Sequence, residues 1–265
     1  MNKLGIAYNI FDGEEILEKS LRSIRDKADY ICAVVQVKSN FGEIYTGGNI
    51  EVERLYSLGL IDEVISYEPT IRYINSVEVD WTCGTWNEIN KRNLGLELCK
   101  KNDCNYILTM DTDEIYDPVQ FDFAYNELLE YNADTSFCQM RTYFKKPYYE
   151  LSPPETYYVP FICKLKKDSE YNIYNDYPVQ VDQTRQLEPK NCLVFSRNEI
   201  EMHHYSYVRN DIDRKFRNSS SRFPKEEIVE GVKMFNEWKF GKKAFLLGQR
   251  IYDIKEVEPL KIWNE

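Results

Sequence analysis

Histidine is almost missing from this chain. Two occur in 265 residues, and they are neighbours, His203 and His204. No long run of Lys or Arg is present, and the formal net charge is −10. Binding to a phosphate backbone needs clustered positive charge, so nucleic acid is not expected as a partner. The seven cysteines are an odd, scattered set with no Cys-x-x-Cys, Cys99 and Cys104 being the closest pair. That spacing excludes a zinc ribbon or a thioredoxin-type centre and predicts mostly reduced, buried thiols. No apolar stretch approaches bilayer length. The amino terminus runs directly into Leu4–Ile10, without a basic region followed by a signal-length apolar core. The expected setting is therefore cytoplasmic, with peripheral association at the inner face of the membrane as a further expectation.

Hydrophobic residues make up 43% and charged residues 29%, ordinary for a globular protein. Tyrosine, at 21 residues, is over-represented. Tyrosines bury a ring while keeping a polar tip, so they can line a wet groove and hold sugars, or simply be half-buried packing residues. No internal repeat, low-complexity segment or linker-like shift divides the chain. One domain over 1–265 is expected, with a first half over 1–115 and a second over 116–265.

Leu4–Ile10 reads as a strand, with Phe11-Asp12-Gly13 as its turn. Ile16, Leu17, Leu21 and Ile24 recur at helical spacing, with acids early and basic residues later. Tyr30–Val37 is apolar on both faces, as a covered parallel strand should be. A polar loop over Lys38–Asn49 leads to a helix over Ile50–Leu58, capped by Gly59, and a strand over Ile61–Tyr67. After an irregular segment to about Thr85, a helix bearing Trp86, Ile89, Asn90, Asn93, Leu94 and Leu98 leads to an apolar strand over Asn105–Met110. Strand and helix thus alternate with short joints. The pattern predicts an α/β fold with a mostly parallel sheet flanked by helices. Beyond a helix from Pro118 to Asn132, strands are expected over Thr135–Tyr143, Tyr157–Leu165, Cys192–Phe195 and Glu201–Arg209. Helices follow over Asp211–Asn218 and Glu226–Trp238, giving a mixed α+β second half.

The apolar strand ends abruptly in Asp111-Thr112-Asp113-Glu114. Were the chain still extended there, Asp111 and Asp113 would share one side of the strand. Two carboxylates at the carboxyl end of a central strand suit Mg²⁺ or Mn²⁺, and open α/β sheets bind ligands at that edge. An acidic turn with a helix cap is the plainer alternative. His203 and His204 face opposite sides of any strand, so at most one of them, either His204 or His203, can join these carboxylates.

The order of these pieces resembles the nucleotide-binding half of A-type glycosyltransferases (GT-A), most nearly glycosyltransferase family 2. The resemblance is carried by Asn9 with Glu14-Glu15, by Lys91-Arg92-Asn93-Leu94-Gly95-Leu96, and by Ile107–Glu114. His204-Tyr205-Ser206-Tyr207-Val208-Arg209 is similar to a late His-aromatic-Ser segment of some bacterial members. Residues 4–115 and a patch near 200–218 are covered. Two departures stand out. Ser39-Asn40 lies where typical members carry an Asp that reads the base. Neither a Glu-Asp nor a Gln-x-x-Arg-Trp signature of processive polymer synthases is present.

The resemblance implies a GT-A-like fold and transfer of a sugar from a nucleotide-sugar, with UDP the expected carrier, to a glycan or glycolipid acceptor of the cell surface, with inversion. It implies Mn²⁺ or Mg²⁺ on Asp113 and His204, and Asp111 on the metal or ribose. Ala7, Tyr8, Asn9, Phe11, Glu14, Ser39 and Thr112 would border the nucleotide, with Lys91 or Arg92 reaching base or phosphate. Inversion needs a carboxylate base. Asp182 is preferred for this role over Asp176 and Glu188, because it precedes Arg185 in a Pro-bounded, strand-like stretch. Two other classes remain open: a phosphatase or phosphotransferase with nucleophilic Asp111, and a non-catalytic Tyr-rich carbohydrate-binding protein.

Overall fold

The computed structural model describes residues 2–74, 78–80, 82–175, 177–219 and 223–264. Its first half alternates as expected: β1 (Leu4–Ile10), α1 (Glu14–Ile24), β2 (Tyr30–Val35), α2 (Gly47–Ser57) and β3 (Glu63–Ser66). A small hairpin of β4 (Tyr73–Ile74) and β5 (Glu78–Val79) precedes α3 (Thr82–Lys101), β6 (Tyr106–Asp111), β7 (Glu114–Tyr116) and α4 (Pro118–Glu130). The second half holds β8 (Thr135–Phe144), β9 (Tyr149–Ser152), β10 (Tyr158–Lys164), β11 (Cys192–Val194) and β12 (Glu201–Tyr207). Helices α5 (Ile212–Arg217) and α6 (Lys225–Glu237) and a hairpin of β13 (Ala244–Leu246) and β14 (Arg250–Glu256) complete it. The short strands β7 and β9 and this last hairpin have no counterpart in the sequence pattern.

The sheet runs β13-β14-β9-β8-β10-β6-β1-β2-β3. β6, β1, β2 and β3 are mutually parallel, as apolar strands joined by helical crossovers should be. From β10 onward the pairing is mixed: β10 is antiparallel to both β6 and β8, while β11 and β12 lie parallel to β8. The α/β fold class expected from the pattern is present, parallel through the first half and mixed beyond it.

Period-two alternation decides which residues reach the site. Leu4, Ile6, Tyr8 and Ile10 of β1 and Tyr106, Leu108 and Met110 of β6 face a core shared with Leu17 and Leu21 of α1, Val52 of α2 and Phe121 of α4. The opposite face carries Ala7 and Ile107 against Ile89, Leu96 and Cys99 of α3. Asn9, Thr109 and Asp111 continue that second face to the carboxyl edge, where Asn9 pairs with Asp111 in register. α3 lies close to β1 because Gly95 meets Ala7; a Cβ on Gly95 would fall 2.7 Å from that of Ala7.

All seven cysteines are unpaired, and six are buried, matching the expectation. Most tyrosines do not line a groove: Tyr8, Tyr106, Tyr116, Tyr143, Tyr171 and Tyr205 are buried in packing.

Gly95→Val tests the close α3–β1 approach. A branched side chain there has no room without displacing the helix, and overpacking of this kind costs about 1–3 kcal/mol. Denaturant melts should show that loss with an unchanged slope.

Candidate active site at the carboxyl edge of the parallel strands

A cleft of about 820 Å³ opens where β1, β2 and β6 end, the edge at which open α/β sheets bind ligands. Of the residues singled out in the sequence, Asn9, Phe11, Ser39, Lys91, Arg92, Asp111, Thr112, Asp113, Asp182 and His204 line it. Four do not. Ala7 packs under α3, and Tyr8 points to the opposite core, its hydroxyl 2.8 Å from Ser20 Oγ. Glu14 opens α1 outside the cleft, beside Tyr45 and Arg214. His203 turns inward by strand alternation; its Nδ1 lies 2.7 Å from the Tyr143 hydroxyl, and the residue is 7% exposed. Glu188 pairs with Lys190 at the surface at 2.6 Å, and Asp176 lies outside the described residues. Tyr157 and Tyr207 are the tyrosines lining the cleft among the described residues, so most tyrosines are packing residues, as one of the two readings expects, and the cleft is largely charged and amide-lined.

The acidic bend does not stay extended. β6 ends at Asp111, and Thr112-Asp113 form a turn before β7. The carboxylates therefore engage different partners. Asp111 stays on the α3 face. Its Oδ1 accepts from Arg92 Nη2 at 3.2 Å and its Oδ2 from Arg185 Nη2 at 2.5 Å. Arg92, buried beneath the cleft, also donates to Thr109 Oγ1 at 3.0 Å, which takes a second bond from Asn9 Nδ2 at 3.0 Å. Arg185 arrives from a 3-10 turn over Gln183–Arg185 and bridges Asp111 to Glu114 at 2.5 Å. Enclosure opposes ionisation of Asp111, but Arg185 and Arg92 outweigh it and hold the carboxyl well below its usual range. Burial dominates at Glu114, lifting it to about 7 despite Arg185.

Asp113 gathers a second set of cations. Its Oδ2 accepts from Arg209 Nη2 at 2.5 Å and from Lys215 Nζ at 3.2 Å, and its Oδ1 lies 3.7 Å from His204 Nε2. Backbone pairing fixes this convergence. His204 stands opposite Glu114 where β12 runs antiparallel to β7, and the Tyr205 N–H donates to the Asp113 carbonyl at 2.7 Å. Arg209 reaches in past Gly13, whose φ of 88° and missing side chain leave room; a Cβ there would overlap the guanidinium and the Thr112 hydroxyl. Burial opposes the Asp113 charge, while Lys215 and Arg209 hold its pKa well down. Burial also lowers the His204 pKa, so its imidazole is neutral near pH 7.

A divalent ion fits part of this arrangement. Asp113 Oδ1 and the neutral His204 Nε2 face one another across the cleft, and ions of the Mg²⁺ type need few protein ligands when substrate phosphates complete the shell. Both Asp111 oxygens are already engaged by guanidiniums, so Asp111 lies outside that pair. Among the described residues no group of three or more His, Cys, Asp or Glu side chains is poised around one ion.

Asp182 caps the 3-10 turn that delivers Arg185, its Oδ1 accepting from the Thr184 N–H at 2.8 Å and hydroxyl at 2.9 Å. Sequence reasoning assigns no role to Arg185, Arg209, Lys215, Glu114, Gln36 or Asn40. The first four act through pairs separated by long stretches of chain, which spacing does not reveal. Asn40 alone has a signal, its place after the second strand.

No protein-family model matches the chain, and no curated protein matches it in sequence. Similar solved structures include TarS 1-349 from S. aureus, 15% identical over 89% of this chain and 67% of that one, with a TM-score of 0.45. The same fragment in complex with UDP-GlcNAc is 15% identical over 53% of this chain, which spans 35% of it, with a TM-score of 0.36. A mannose-1-phosphate geranyltransferase from Thermus thermophilus is 15% identical over 62% of this chain and 50% of that one, with a TM-score of 0.32. Identities this low and superpositions this loose assign neither activity nor substrate here.

His203 yields a pH prediction. Burial, aided by Arg141, pushes its pKa down to about 3 from an ordinary 6.5. The unfolded chain takes up this proton below 6.5 and the folded chain does not, so stability present above 6.5 is lost as pH falls toward 3. The ceiling of this loss is roughly 1.4 kcal/mol per pH unit. Urea melts at pH 6 and pH 4 should show a smaller acid loss in His203→Gln than in the parent.

Proposed function

We propose that the protein is a glycosyltransferase that moves a sugar from a nucleoside diphosphate donor to an acceptor hydroxyl. The observation that carries this reading is the convergence of Asp113, His204 and Lys215 in a cleft at the strand edge that Asn9, Ser39, Asn40 and Lys91 also line. In this reading Asp113 and His204 would hold Mn²⁺ or Mg²⁺, with ligands from the donor diphosphate completing its shell. The ion, when bound, supplies Lewis-acid stabilisation of the departing diphosphate. Lys215, its side chain 27% exposed and 3.2 Å from Asp113, adds a mobile positive charge on the leaving-group side. Arg92 and Arg185 fix Asp111 so that it can accept from a ribose hydroxyl.

Asp182 lines the same cleft, and its Oδ2 has no hydrogen-bond partner among the described residues. It takes the proton from the acceptor hydroxyl as that oxygen attacks the anomeric carbon opposite the leaving diphosphate, which inverts the configuration. A glycan or glycolipid of the cell surface is the proposed acceptor and UDP the proposed carrier. No helix among the described residues is long and apolar enough to cross a membrane. A phosphatase with nucleophilic Asp111 is disfavoured because both its oxygens are engaged by guanidiniums.

Thermal shift with nucleoside diphosphates, with and without Mn²⁺, tests the proposal. At a hundred times its dissociation constant a ligand stabilises by about 2.7 kcal/mol, and the shift should be larger with the metal. His204→Gln leaves no buried charge unpaired and should weaken the metal-dependent part at least tenfold, about 1.4 kcal/mol. Stabilisation by free sugars alone, or phosphate release from a generic ester, overturns the assignment.

A further inference from the structure

A basic, aromatic patch interrupts the surface of a molecule whose formal net charge is −10. Two segments far apart in sequence build it: Lys145-Lys146-Pro147-Tyr148-Tyr149 at the joint of β8 and β9, and Trp238-Lys239-Phe240-Gly241-Lys242-Lys243 between α6 and β13. Together they hold five lysines and no acidic residue. Ring contacts join them. Tyr149 stacks on Phe240 with centroids 5.0 Å apart, meets Trp238 at 5.7 Å and touches Tyr148 at 4.7 Å. The second segment is a fixed turn, because Trp238 Nε1 donates to the Lys242 carbonyl at 2.9 Å and the Lys242 N–H to the Lys239 carbonyl at 3.1 Å. Its tip is open: Gly241 takes a φ of 85°, and nothing lies within 4 Å of where a Cβ would stand. Phe240 remains 52% exposed. Just beyond, Phe245 stands opposite Ile251 across the hairpin, and these are 37% and 51% exposed.

Few of the charges are neutralised internally. Lys243 pairs with Asp253 at 3.0 Å, and the Lys145 ammonium lies 6.0 Å from the centre of the Trp238 ring. Lys146, Lys239 and Lys242 are exposed and make no ion pair among the described residues. Of the acids next to the two segments, Glu150 is buried against Arg141, which leaves Glu237 at the end of α6. A chain this acidic is repelled as a whole by a negative surface. Unpaired lysines gathered around exposed rings therefore favour contact in one orientation. That composition suits a membrane interface, where apolar rings enter the headgroup boundary and ammonium groups meet lipid phosphates. It suits a sugar platform poorly. One face of Phe240 is covered by Tyr149, and neither segment contains Asn, Gln, Asp or Glu to hydrogen-bond hydroxyls.

We propose that this patch seats the protein on a bilayer that contains anionic phospholipid. The proposal goes beyond the transferase reading and does not need it. Leu247, Gly248 and Arg250 of the following β13–β14 hairpin line the cleft, so the hairpin ties the seated surface to the cleft wall.

Flotation of the full chain with vesicles of phosphatidylcholine, alone or mixed with phosphatidylglycerol, tests the proposal. Binding to the mixed vesicles should be at least tenfold stronger and should weaken as salt is raised, because screening shortens the reach of surface charge. A lysine near an anionic surface contributes about fivefold, so Lys239→Ala combined with Lys242→Ala should weaken binding roughly 25-fold. Lys101→Ala combined with Lys167→Ala removes the same charge from exposed positions outside the patch and should leave binding unchanged. Phe240→Ser, at a half-exposed ring, should weaken binding about tenfold through lost apolar insertion. Equal binding to neutral and mixed vesicles, or equal losses in the two lysine pairs, overturns the proposal. So does a patch that instead holds a neutral oligosaccharide or a second copy of the chain, seen as retention or dimerisation lost in Phe240→Ser without any vesicle binding. Nucleotide binding is read separately, so each of these outcomes leaves the transferase reading standing.

Discussion

The molecule is organised by a charge pair withdrawn from water. Asp113 and Arg209 meet at 2.5 Å with their side chains 2% and 3% exposed. Removing two ions from solvent is expensive, and neither could be buried alone. Arg209 also lies within 3.9 Å of Asp12 and 3.8 Å of Glu15. It therefore joins the turn after the first strand, the start of the first helix and the acidic bend to a point far down the chain. The glycine at position 13 leaves the space through which it passes. With Asp113 so pinned, its remaining oxygen can face His204 in a fixed direction.

The two aspartates of the bend have separate electrostatic surroundings. Asp111 belongs to a network shared by β1, β6, α3 and the 3-10 turn, in which Arg92 and Arg185 leave its oxygens little freedom. Asp113 belongs to β12 and α5. Preorganised charges of this kind do not have to reorient when a ligand's own charge arrives. Division of the bend also means that the two carboxylates do not compete for the same cations, Arg92 and Arg185 serving Asp111 and Arg209 and Lys215 serving Asp113.

The parallel first half is legible from sequence because hydrophobic periodicity and turn chemistry are local. Leu4–Ile10, Tyr30–Val35 and the strand into Asp111 are each marked by an apolar run with a polar stop. The placement of Asn9, Lys91, Arg92, Asp113 and His204 at one cleft follows once the strand edge is known. Other features are beyond a local reading. The chain turns at Thr112 rather than staying extended, because Asp113 is drawn toward cations located near residue 209. The position of Glu14 after a strand suggests a place in the site, yet the helix it opens leaves the cleft. Tyrosine abundance is compatible with a groove or with packing, and Tyr8, Tyr106, Tyr116, Tyr143, Tyr171 and Tyr205 are buried in packing. The hairpin that lends Arg250 to the cleft wall has no apolar alternation strong enough to signal it.

The chain order of the charges has a consequence for assembly. The acidic bend is synthesised with Arg92 already behind it, but Arg185, Arg209 and Lys215 emerge only later. Until β12 aligns with β7 and β8, Asp113 lacks Arg209, Lys215 and His204, and the bend carries carboxylates with too few counter-charges. A partly made molecule therefore has its parallel strand edge while the charges that close around the bend are still missing. Docking of the last third of the chain completes that charge balance.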